Sequence, residues 1–196
     1  MMITDKEHAD AWIAAANSRL AIKVREHMDA NPRRKYHNWG HIEKCLFHAA
    51  YTLKLPYDDK LAQAILVHDV IYDGKGEHED RSIEWALENG VTNEETLSHI
   101  RKTKDHNPSG DNRMILIDLA DFMWVHPTIK NTEKVIEECV LLYGVDEKQV
   151  KQQNKKFLVE LVSRLKTHSG NNDFETTMFK AIIIGIENAI ERNDNE

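Results

Sequence analysis

Residues 61–72 read LAQAILVHDVIY, and Gln63, His68 and Asp69 are their only polar side chains apart from the hydroxyl of Tyr72. The surrounding apolar residues predict a core helix over about 58–72, stopped by Asp73-Gly74-Lys75-Gly76. A His-Asp doublet inside such a helix is costly. An unpaired buried carboxylate costs several kcal/mol or changes its protonation, so it persists only beside a cation or within a full set of hydrogen bonds.

The anomaly recurs in residues 114–125, MILIDLADFMWV, where Asp118 and Asp121, three apart, fall on one side of an otherwise apolar helix. Taken alone, each doublet reads equally as a helix-end cap, half of an ion pair or an exposed edge. Together they point to a divalent cation, because imidazole nitrogens and carboxylate oxygens from separate helices suit a borderline or hard ion. His37 and His41, four apart, put two more imidazoles on one face of a helix's first turn, although such a pair caps or packs as readily.

The rest of the chain supplies the frame. Glycine and proline number only 8 and 4, and apolar residues recur at spacings of three and four, which predicts an all-α bundle of about eight to nine helices in a single domain spanning 1–196. The first helix is expected over about 5–29, with Trp12, Ala16, Leu20, Val24 and Met28 as one stripe. Others are expected over about 38–55, 78–88, 93–106, 111–125 and 128–143. An eighth shows Val150, Phe157, Leu158, Leu161, Val162 and Leu165 on one face, and a ninth repeats Phe174, Met178, Ile182, Ile186 and Ile190 at fourfold spacing. The metal-site core falls at about 31–125, with the helices of 128–192 packing on it and a frayed tail from Arg192. No strand alternation, repeat or linker is evident.

Composition narrows the function. Lysine and arginine number 26 against 33 acidic residues, a formal charge of −7, with no long basic run, which argues against stable nucleic-acid binding. Two cysteines, Cys45 and Cys139, exclude a disulfide scaffold and suit a reducing, cytoplasmic compartment. The N-terminus lacks a signal-like pattern, and no apolar window reaches the length of a membrane span. The 11 histidines are either solvated or gathered as ligands and acid–base groups, and placement decides between the two.

The order of these motifs resembles the HD-domain superfamily of metal-dependent phosphohydrolases, and more closely its small bacterial and phage-type branch. The matching residues are Tyr36-His37-Asn38-Trp39-Gly40-His41-Ile42, His68-Asp69-Val70-Ile71-Tyr72, Glu79-Asp80-Arg81-Ser82, the pair Thr103 and His106, and the aspartate helix. The branch has Asp-Ala-Asp-Leu at its last ligand, where this chain has Asp118-Leu119-Ala120-Asp121-Phe122. Asp121 is preferred, with Asp118 as the alternative, since Leu-Ala-Asp also resembles the family's guanosine-tetraphosphate hydrolases. Those enzymes carry Glu-Asp after the doublet, whereas this chain has Tyr72-Asp73, so their substrate does not transfer directly.

The resemblance implies that His41, His68, Asp69 and Asp121 hold one divalent ion, with manganese, zinc, iron, cobalt and magnesium all compatible. It implies a small phosphorylated substrate, nucleotides first, attacked by metal-activated water. Glu79 and Asp73 are candidate proton donors, and His37 and His106 are candidates for phosphate binding, acid catalysis or a second metal. Arg33, Arg34, Lys35 and Arg81 are candidate phosphate clamps, the first three reading equally as a solvated connector. Tyr36 and Trp39 could stack on a base, although aromatics at a helix start commonly pack. His8, His27, His48, His78, His99, His126 and His168 default to surface or structural roles. Two rival readings stay open: a di-iron oxygenase, and a non-catalytic binding domain stabilised by metal. The apolar face of the final helix serves a homo-oligomer as readily as a core.

Overall fold

The computed structural model describes residues 4–168 and 170–193, and every regular element among them is helical. The chain is organised as two compact units, one ending at Asp105 and the other beginning at His106. No helix of the described residues is long and apolar enough to cross a membrane.

The first unit holds α1 (Asp5–Ala15), α2 (Arg19–Asp29), α3 (Trp39–Phe47), a π-helical turn (His48–Thr52), α4 (Asp59–Val67), α5 (His78–Glu88) and α6 (Glu94–Thr103). The single helix expected over 5–29 is two. Ser18 interrupts it because its side chain accepts a hydrogen bond from the amide of Ala21, a helix-start cap that outweighs the continuous apolar stripe. Trp12, Val24 and Met28 stay buried, while Ala16 and Leu20 at the break are half-buried. Trp12 is anchored by its indole N–H, which donates to the carbonyl of Leu55 at 2.9 Å.

Helix α4 is the centre of this unit and packs against α2, α3, α5 and α6. Leu61, Ala62, Ala64, Ile65, Leu66 and Val67 are all buried, so LAQAILV is a core helix as its composition predicts. It ends five residues earlier than expected. Past Val67 the backbone is taken by side chains from elsewhere: Arg34 donates to the carbonyls of Asp69 and Val70, and the amide of Ile71 donates to Ser82 Oγ at 3.1 Å. Those partners compete successfully with helical pairing, which leaves His68 and Asp69 in the turn after α4 rather than inside it.

The second unit holds α7 (Arg113–Asp118), a 3-10 turn (Ala120–Met123), α8 (Val125–Tyr143), α9 (Glu147–Lys166) and α10 (Asp173–Asn193). The helix expected over 111–125 is therefore broken, with Asp118 ending α7 and Asp121 in the 3-10 turn. Pro127 lies within the first turn of α8, where its missing N–H costs nothing, so that helix begins before the proline rather than after it. Gly144, in the left-handed conformation at φ 65°, closes α8.

Helix α10 packs on α8, α9 and the 3-10 turn. Its buried face is Phe179, Ile182, Ile183, Ile186 and Ala189, rotated from the predicted stripe, and Phe174 is exposed. Gly185 explains the rotation: a Cβ there would stand 1.9 Å from the carbonyl oxygen of Phe122, so only glycine lets α10 lie this close to the turn.

A buried polar cluster stitches the loops of this unit. Glu175 Oε2 accepts from Asn112 Nδ2 at 2.9 Å, from the Asn171 amide at 3.0 Å and from Asn171 Nδ2 at 2.9 Å. Asn112 Nδ2 also donates to His168 Nε2 at 3.2 Å, and its Oδ1 accepts the Ser109 amide at 2.9 Å.

Candidate metal centre

Two helix ends build the site. Asn38 caps α3, its Oδ1 accepting the Gly40 amide at 2.9 Å and its Nδ2 donating to the carbonyl of Lys35 at 2.9 Å. That cap sets His41 in the first turn of α3, buried at 5 % exposure. His37 precedes the cap, so the expected pairing of His37 and His41 on one helical turn is not formed, although their rings lie 6.2 Å apart.

The turn after α4 brings the doublet to His41. His41 Nε2 lies 3.3 Å from His68 Nε2 and 3.4 Å from Asp69 Oδ2, and His68 Nε2 lies 3.1 Å from Asp69 Oδ2. Donors bound at about 2.1 Å to one ion stand roughly 3.0–3.4 Å apart in octahedral cis or tetrahedral arrangements. The triangle therefore has the dimensions of a coordination face. His68 is held in the matching tautomer, since its Nδ1–H donates to the carbonyl of Ile65 at 2.9 Å and leaves Nε2 with a lone pair. On a continuous helix His68 and Asp69 would diverge by about 100°. His68 keeps helical dihedrals, and its Nε2 reaches across that divergence to stand 3.1 Å from Asp69 Oδ2.

Burial alone would raise the Asp69 carboxyl, yet the neighbouring imidazoles of His68, then of His37 and His41, hold it well below the usual carboxylate range. Cys45, one turn after His41 on α3, completes the lining. It is buried, its Sγ lies 3.7 Å from His41 Nε2, and the donor atoms of His41, Cys45 and His68 all fall within 4.8 Å of one another. This group of two histidines and a cysteine offers ligand atoms that can hold a metal ion. Sequence reading missed Cys45, and the spacing of four from His41 was the one sign of it.

Arg34, expected as a phosphate clamp, is buried and committed elsewhere. Its Nε donates to the carbonyl of His37, its Nη2 to that of Asp69 and its Nη1 to that of Val70 at 3.0 Å. It ties the segment before α3 to the turn after α4, and so positions the doublet against α3. Trp39, a candidate for base stacking, is likewise buried at 6 % exposure.

Beside His41 stands an aromatic column. Tyr72 is stacked between His37, at 3.7 Å between ring centroids, and His78, at 4.3 Å. Tyr36 tilts over His41 at 4.8 Å. His78, for which a surface or a structural role was expected, takes the structural one: it is buried, and burial pushes its imidazole below the usual histidine value. Its position one residue before the matched acidic stretch gave no hint of this stack.

Asp73 and Arg81 pair with each other in a bidentate bridge, 2.7 Å at each contact. The hydrogen bonds from Arg81 hold the Asp73 carboxyl well below its ordinary range against a smaller opposing effect of burial, so Asp73 is a poor proton donor. Glu79 is half-buried in the first turn of α5, Lys35 is half-buried, and Arg33 is exposed, its Nε donating to Asn31 Oδ1 at 3.3 Å.

The remaining candidates lie in the second unit. His106 Nε2 stands 2.7 Å from Asp118 Oδ2, and Asp121 Oδ2 accepts from Asn131 Nδ2 at 2.9 Å. Comparison with family models, curated proteins and solved structures gives no match to this chain.

Proposed function

We propose that this chain is a metal-dependent phosphohydrolase of the HD type, acting on a small phosphorylated metabolite, with nucleotides as the first class to test. The reading rests on one observation: three buried side-chain atoms of metal-binding type, on His41, His68 and Asp69, converge at 3.1–3.4 Å, a spacing suited to a shared cation. The resemblance adds a carboxylate from Asp121 or Asp118. A bound divalent ion would supply Lewis acidity toward a phosphoryl oxygen and a hydroxide near neutral pH.

The chain's own residues carry the remaining roles. Asp73 is tied as a carboxylate by Arg81, which leaves Glu79 and His37 to protonate the leaving oxygen. The stack on Tyr72 fixes the plane of the His37 ring beside His41. Arg33, Lys35 and the outer edge of Arg81 offer positive charge to phosphate oxygens. His106 stays a candidate for phosphate contact, and Tyr36 offers a face on which a base can stack.

The test strips the protein with a chelator, then measures phosphate release from a panel of nucleotides and sugar phosphates with manganese, zinc, cobalt, iron(II) or magnesium. Metal-restored release that disappears in His68→Ala is expected. Two bound irons with oxygen uptake, or metal binding with no phosphate release across the panel, would overturn the proposal in favour of an oxygenase or a binding domain.

A further inference from the structure

We infer that Cys45 is a thiolate ligand of this centre, and that the resident ion is a thiophilic divalent metal, zinc, iron(II) or cobalt(II), rather than magnesium or manganese. The inference rests on the metal-site reading above and extends it to the ion's identity.

The geometry begins with α3. His41 and Cys45 are four apart, so both side chains leave the same face, and both are buried, at 5 % and 1 % exposure. A nitrogen at about 2.1 Å and a sulfur at about 2.3 Å from one tetrahedral ion stand roughly 3.6 Å apart. Sγ of Cys45 lies 3.7 Å from His41 Nε2, and it falls within 4.8 Å of the donor nitrogen of His68. Because His68 Nδ1 donates to Ile65, the nitrogen left to share an ion with the sulfur is Nε2.

Chemistry then selects the metal. Hard ions such as magnesium and manganese take carboxylate, carbonyl and water oxygens, whereas sulfur beside imidazole favours zinc, iron(II) or cobalt(II). On binding, the thiol loses its proton to solvent as the metal–sulfur bond forms, with no change in oxidation state.

The experiment uses the full chain, freed of metal and titrated with cobalt(II), as wild type, Cys45→Ser, Cys139→Ser and His68→Ala. Wild type and Cys139→Ser should show an ultraviolet thiolate-to-cobalt charge-transfer band together with visible d–d bands. Cys45→Ser should keep the d–d bands, lose the charge-transfer band and bind about tenfold more weakly. X-ray absorption of the zinc-loaded wild type, which needs no variant, should show a sulfur neighbour at about 2.3 Å. Cobalt bound with d–d bands and no thiolate band, or a zinc shell without sulfur, overturns the role of Cys45 and leaves the metal centre standing. No cobalt or zinc binding by the wild type overturns both.

Discussion

Each unit buries a polar cluster, and the two are built on opposite principles. Around Glu175 every contact joins a donor to an acceptor, with three N–H groups converging on one carboxylate oxygen. Around His68 the converging atoms are two imidazole nitrogens and a carboxylate oxygen, all of them atoms that can bind a metal. Donors facing acceptors close on themselves and hold loops together. Imidazoles and a carboxylate facing one another can share protons among themselves or hold a cation between them. A buried polar side chain is thus not itself a sign of a site; the sign is whether the atoms that converge with it are ones that can bind a cation.

The sharpest way to break this contrast is to remove a ligand. His68→Ala should lower zinc affinity by more than ~100-fold, beyond the cost of losing a group that merely orients a ligand, while leaving the helical content unchanged. Calorimetric titration and circular dichroism measure the two halves; retained affinity would remove the distinction between the clusters. Glu175→Ala should do the reverse, costing about 3 kcal/mol of stability in denaturant because three donors lose their acceptor, with metal affinity untouched.

Arg34→Met joins the two behaviours. It should cost about 2 kcal/mol through the freed carbonyls and weaken metal binding about tenfold by loosening the turn that carries Asp69. A variant that loses stability but keeps wild-type affinity would show that the turn holds its shape without the clamp.

The smallest expected effect is electrostatic. The Asp73 carboxyl sits below its unfolded value, so its pairing with Arg81 stabilises the fold above that value and is lost as pH falls through the acid range. Asp73→Asn should therefore cost about 1 kcal/mol at neutral pH and flatten the acid limb of the stability curve. An unchanged acid limb would assign that slope to other carboxylates.

The helical class was legible because long segments repeat apolar residues at helical spacing, and α5 begins and ends where its flanking Gly-rich and Asn-Gly turns predict. What sequence could not provide was competition from afar. Nothing local says that α4 stops at Val67, because the groups that end it are on Arg34 and Ser82. Asp118 and Asp121 look like one helical face until Gly185 is known to admit the Phe122 carbonyl. In the site, His68 and Asp69 announced themselves by polarity in an apolar run. Cys45 did not, since a cysteine among apolar residues reads as packing. His78 was indistinguishable from a surface histidine until its stack on Tyr72 was visible.

The guanidinium of Arg34 has one more consequence, for how the ion comes and goes. His41 and His68 are separated by 27 residues, and closing a loop of that length costs about 3 kcal/mol of chain entropy. Core packing of α3 on α4, with Arg34 fastening the loop's two ends, meets that cost during folding rather than during metal capture. An arriving ion then needs only to shed its own water. Loading would then be a late and reversible step, in which the donor set chooses among the ions available after folding is complete.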